Sequence, residues 1–286
     1  MSEGRIVADT TPDELLRSEL LQKNGIREPL YITAMKYAGC SLEGNKNLCD
    51  IHSLTFSEEN AAKLRTFFSE TTEPYPQPDG DEVIRFSHVS YSSEPGKRVV
   101  NDVSFVVHRG ERIAVVGRNG AGKSTVARLI CGVGRPEEGT IEIDGQNSKS
   151  MSIKEIGERV GYVMQNPNQM IIKDTIKNEV EYALTIRNVP REELVRRATN
   201  ALNACSLFPM RNWPVDTVSY GQKQRITVAS ILVLEPDVLI LDEPSAGQDY
   251  RSYTEIMKFI DVLNREYGKT ILFITHDMHL ALENTD

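Results

Sequence analysis

An α/β fold built on a mostly parallel sheet is predicted by three features of this 286-residue sequence. Four nearly all-apolar runs, at residues 113–116, 162–164, 238–241 and 271–274, alternate with helical stretches, which is the pattern of strands buried on both faces. The first run passes through a glycine-rich turn directly into a helical stretch. The third ends in two adjacent carboxylates, Asp242 and Glu243, at the strand end where α/β sheets place their ligands.

Composition bounds the possibilities. At 40% hydrophobic and 26% charged, the chain can form one full domain with an attachment. A net charge of −8 with no block of Lys and Arg argues against nucleic acid or anionic lipid as a partner. The apolar runs fall far short of the roughly 20 residues that a membrane helix needs, and the first residues lack the apolar core of a secretory signal. Cys40, Cys49, Cys131 and Cys205 show neither CxxC spacing nor histidine partners, so they read as reduced thiols.

Along the chain, Thr11-Pro12-Asp13-Glu14 is a capping box with proline at the first helical position, and Leu15, Leu16, Leu20 and Leu21 supply an apolar face. A second helix is expected over residues 57–68 from Ala61, Leu64 and Phe68, and two short helices do not make a self-sufficient domain. Residues 73–81 contain Pro74, Pro76 and Pro78 and read as an extended linker between residues 1–72 and a domain at 82–286. Within that domain, Leu194, Ala198, Ala201, Leu202 and Cys205 share one helical face, inside a mainly helical insertion at about 166–217.

The chemistry begins at Gly117-Arg118-Asn119-Gly120-Ala121-Gly122-Lys123-Ser124-Thr125, which matches GxxxxGK[ST] between a strand and a helix. Glycines let successive backbone N–H groups turn inward as an anion nest, and the helix N-terminus adds the positive end of its dipole. Lys123 can then reach the β and γ phosphates of a nucleotide, and Ser124 can ligate Mg²⁺. Asp242 would join the Mg²⁺ shell. Glu243 would take a proton from the attacking water or orient it.

Over nearly everything after the linker, the order of these and three further motifs resembles the ATP-binding cassette (ABC) family. That resemblance implies a P-loop NTPase fold with a mostly parallel core sheet, an antiparallel β subdomain and a helical subdomain. Gln165 resembles the Q-loop glutamine, a Mg²⁺ or water ligand. His276 resembles the switch histidine that bonds the γ-phosphate. Val218-Ser219-Tyr220-Gly221-Gln222 resembles the signature motif, which reaches the ATP of an opposing cassette, and the turn containing Asp249 resembles the D-loop. Taken singly, each also has an ordinary structural reading, such as a helix N-cap at Ser219. Tyr220 stands where the family usually has glycine, and it fits only with a negative φ and a ring turned from the phosphate. Tyr91 is the candidate for stacking on adenine, with a core strand residue as the equal alternative.

Within the family, the QNPNQM, SYGQKQR and PSAGQD segments look like the energy-coupling factor (ECF) importers of Gram-positive bacteria whose two cassettes are fused in one chain. Residues 2–12 resemble the segment that follows the switch histidine. The chain therefore reads as the tail of a first cassette, a linker and a second cassette lacking its own tail. The resemblance implies MgATP as ligand, a second cassette as partner, and a transmembrane coupling subunit with a separate substrate-binding membrane subunit. It also implies a peripheral location on the cytoplasmic face of the plasma membrane. A soluble cassette ATPase acting on DNA or ribosomes, and a catalytically incomplete fragment, are the alternatives.

Overall fold

The computed structural model describes residues 5–24, 26–71, 80–246 and 250–285. The chain divides into two compact units, one formed by the described residues up to 71 with 250–254, the other by the rest.

The first unit is helical. Its helix α1 (Pro12–Arg17) starts at the expected Thr11 capping box and stops at Ser18, whose extended backbone and hydroxyl bond to the Leu15 carbonyl interrupt the turn before α2 (Leu20–Lys23). Helices α3 (Leu30–Tyr37) and α4 (Glu58–Thr71) follow. The two expected helices are joined by α2 and α3, and Leu16, Leu21, Ile32, Met35, Leu42, Leu48 and Leu54 form a buried cluster of their own. Asp13 accepts the backbone N–H groups of Asn47 and Leu48, and the buried Glu28 pairs with Lys36 at 2.6 Å. Most of the proline-rich stretch at 73–81 lies outside the described residues.

In the second unit, β1 (Glu82–Glu94) and β2 (Lys97–His108) form a long antiparallel hairpin. Next come β3 (Arg112–Val116), α5 (Lys123–Ile130), β4 (Glu138–Ile143), β5 (Gln146–Asn147), α6 (Ile153–Arg159) and β6 (Val160–Val163). Helices α7 (Ile176–Thr185), α8 (Arg191–Ala204) and α9 (Tyr220–Leu232) lead to β7 (Val238–Asp242), α10 (Tyr250–Arg265), β8 (Thr270–Thr275) and α11 (Met278–Asn284). Two sheets result, an antiparallel one in the order β2-β1-β4-β5 and a parallel one in the order β3-β8-β7-β6. The four predicted apolar runs supply the parallel sheet, and β7 and β8 are buried at every position.

Parallel register aligns the strand ends. Val116 pairs with Thr275, Asp242 with Ile274 and Val163 with Leu241, so the segments carrying residues 117–122, 165, 243 and 276 leave the sheet along one edge. Alternation of β and α, with the crossovers it requires, thus converts four separated motifs into one site. The helical insertion forms as expected. Leu194, Ala198, Ala201, Leu202 and Cys205 are all buried, and α9 joins α7 and α8 in this packing. Glu179 of α7 turns back to accept the N–H groups of Ile172 and Lys173 at 2.9 and 2.8 Å, which fixes the loop that follows Gln165. The four cysteines are free thiols, and among the described residues no helix is long and apolar enough to cross a membrane.

Candidate nucleotide site

The glycine-rich turn closes tightly between β3 and α5. Gly122, the N-cap of α5, has φ +95°, and a Cβ there would lie 2.7 Å from the Val99 carbonyl oxygen, so both the conformation and the close approach of β2 require glycine. The ammonium of Lys123, only 9% exposed, donates to the Gly117 and Arg118 carbonyls at 2.8 and 3.3 Å. Ala121 N–H closes the turn on the Arg118 carbonyl. A cavity of about 400 Å³ opens over the turn, lined by Asn119, Gly120, Gly122, Lys123, Ser124 and Thr125 together with Gln165, Asp242, Glu243 and His276. Motif residues up to 157 positions apart in sequence, from Asn119 to His276, therefore line one cavity.

The carboxylates are held differently. Asp242 is the last residue of β7, and the Tyr162 hydroxyl donates to its Oδ2 at 2.6 Å. Burial, and then this bond to a carboxylate, push the Tyr162 phenol well above its ordinary pKa, so it stays a donor. Glu243 leaves the strand with φ +47°, an uncommon conformation for a non-glycine residue, while its N–H still bonds the Ile274 carbonyl at 2.8 Å. Its Oε1 accepts from His276 Nδ1 at 2.7 Å and from the His276 backbone N–H at 3.1 Å, and its Oε2 accepts from the Thr275 hydroxyl at 3.3 Å. These donors fix the carboxylate of Glu243, and a carboxylate that only accepts requires the proton on Nδ1 of His276.

A magnesium ion fits this donor set. Ser124, Asp242 and Gln165 offer oxygen ligands with a single carboxylate, the pattern for an ion that shares its shell with substrate phosphates and water.

Ser219 is the N-cap of α9, in a reciprocal capping box with Gln222. Tyr220 occupies the first helical position without a positive φ, and its hydroxyl donates to the Gln165 carbonyl at 3.1 Å. Tyr91 stands in β1. It pairs with Val100 in the hairpin and is half-buried against the core, its ring edge 3.4 Å from where a Cβ on Gly134 would stand. It does not line the cavity. Val99, on the paired strand, does line it. Asp249 lies outside the described residues.

A parallel sheet whose strand ends carry a P-loop, an aspartate, a glutamate and a histidine around one cavity defines a P-loop nucleoside triphosphatase domain. Comparison with known proteins narrows the class. The family model described as ABC transporter matches residues 100–246, and one described as ATP-binding cassette cobalt transporter matches residues 18–91. The chain belongs to the ABC transporter family. It is 51% identical over 286 residues to a putative ABC transporter ATP-binding protein of Enterococcus faecalis, a match covering all of this chain and 50% of that protein. The chain thus spans about half the length of the curated relatives it matches. Among solved structures, cbiO1 from Clostridium perfringens, described as part of the ABC transporter complex cbiONQ, matches with TM-score 0.69 and 31% identity over 72% of this chain and 83% of that one. A dimeric ATP-binding cassette in a post-hydrolysis state with ADP and phosphate matches with TM-score 0.59 and 27% identity, over 69% and 90% of the two chains.

Proposed function

We propose that residues 82–286 act as the second cassette of a duplicated ECF-type importer subunit, binding MgATP and coupling its hydrolysis to transmembrane transport of a vitamin, vitamin precursor or metal ion. The observation that carries this reading is the convergence of Lys123, Ser124, Gln165, Asp242, Glu243 and His276 on one cavity. Lys123 and the backbone N–H groups of the turn would hold the phosphates. Ser124, Gln165 and Asp242 would hold Mg²⁺, which supplies charge neutralisation on the phosphates when bound. Glu243 would accept the proton of the attacking water, with His276 positioning its carboxylate and reaching the γ-phosphate. Ser219, Gly221 and Gln222, at the start of α9, would serve the ATP of a second cassette, and the D-loop Asp249 would lie at that interface. The doubled length of the relatives supports a two-cassette protein in which residues 1–72 derive from the tail of the first. The cobalt-transporter description of the N-terminal match supports a metal ion within the cargo range.

Phosphate release by the two-cassette protein, measured alone and with membranes carrying its integral partners, tests the reading. Retention by those membranes and several-fold stimulation are expected, at the cytoplasmic face. Stimulation by DNA or ribosomes, with none by membranes, would replace the importer with a soluble cassette ATPase.

A further inference from the structure

The first turns of α9 carry a contact pattern that the nucleotide site does not by itself require. Tyr220 donates its hydroxyl to the Gln165 carbonyl at 3.1 Å, and Lys223 donates to Asn168 Oδ1 at 3.1 Å. The buried amide of Gln224 donates to the Pro244 carbonyl at 3.0 Å, in the turn directly after Glu243. Positions 220, 223 and 224 stand in the i, i+3, i+4 relation and so share one helical face. That face grips the two segments that flank the cassette's own cavity. Ser219 and Gly221 lie outside this row, and a Cβ on Gly221 would meet nothing within 4 Å.

The Tyr220 bond is not locked in by packing. Its ring is 39% exposed and borders a second cavity of about 600 Å³ that runs from Gln165 and Asn168 to Asp242. Tyr220 stands in the first turn of α9, so a displacement of the 165–168 segment that keeps this bond has to carry that turn with it. A shift at Gln165 is therefore passed to the first turn of the helix through the phenol.

We propose that Tyr220 is a positioning residue that links the state of this cassette's nucleotide pocket to the pose of the Ser219–Gly221 turn. The phenol replaces the glycine usual at this position with a strut, so binding at Lys123 is communicated to the surface offered to the second cassette. The link rests on the nucleotide-binding reading given above, and Lys223 acts as a second, weaker strut on the same segment.

Hydrogen exchange of the full chain with MgADP or a non-hydrolysable MgATP analogue as probe tests this. In the wild type, the probe should slow exchange in peptides over residues 117–125 and change exchange over 218–226. In Tyr220→Phe, which keeps the ring, the first effect should persist at the same probe concentration while the second falls by at least half. Adding Lys223→Met should remove most of what is left. Far-UV circular dichroism confirms that both variants are folded. An equal response over 218–226 in wild type and variants, or none in the wild type, overturns the link. Absence of protection over 117–125 in the wild type is a separate result, which removes the nucleotide reading and the link with it.

Discussion

Glu243→Gln is expected to lower ATP turnover by about 10²–10⁴-fold, the range that a positioned general base contributes, while nucleotide affinity stays within a few-fold of the wild type. The amide matches the carboxylate in shape, and its oxygen can still accept from His276 Nδ1 and the His276 backbone N–H, which now meet Oε1 at 2.7 and 3.1 Å. What it cannot do is take the proton of an attacking water. Lys123 and the glycine-rich turn make no bond to Glu243, so phosphate contacts made there should be kept. Single-turnover phosphate release, paired with equilibrium binding of a fluorescent ATP analogue, separates the two effects. Undiminished release would remove Glu243 from its role.

Gly221→Asp tests the other half of the site with a comparable effect. Gly221 sits in the first turn of α9 without a positive φ, and an added Cβ meets nothing within 4 Å, so aspartate fits the chain as folded. A carboxylate there also complements the helix dipole, by about 0.3–1 kcal/mol, and thermal stability should hold or rise slightly. Among the described residues, nothing explains glycine at this position. A γ-phosphate arriving from a second cassette would meet the new charge at close range, where two like charges about 4 Å apart at an effective dielectric near 20 repel by about 4 kcal/mol. Turnover of the two-cassette protein should therefore fall by about 10²–10³-fold with binding at Lys123 unchanged. Full turnover in this variant would show that the turn faces no phosphate.

Much of the parallel sheet and its edge was legible because burial on both faces writes continuous apolar runs, and because a phosphate cradle needs glycines at fixed offsets. The α3 helix was not, since it begins after Pro29 with no side-chain cap and buries only Ile32 and Met35. The β1–β2 hairpin was hidden for a different reason. Repeated register shifts between residues 82 and 94 break the alternation of period two, so the facing of Tyr91 and of Val99, which lines the cavity, could not be read. The break at Ser18 was also invisible, because a hydroxyl bond to Leu15 competes locally with a helix whose apolar spacing continues through Leu20 and Leu21. Within the site, residue identities followed from the motifs. The bonds that organise them did not: Tyr162 to Asp242, Tyr220 to Gln165 and Gln224 to Pro244 join residues 80, 55 and 20 positions apart, and only the folded chain brings them together.

Calorimetric titration of the wild-type chain with MgATP, repeated on Lys123→Ala, addresses the binding of MgATP at the glycine-rich turn most directly. One saturable site per chain is expected in the wild type. Loss of the ammonium removes charge-assisted bonds to phosphate worth about 1.5–3 kcal/mol, so the variant should bind at least tenfold more weakly. Absence of binding in the wild type, or equal affinity in the variant, would contradict the account.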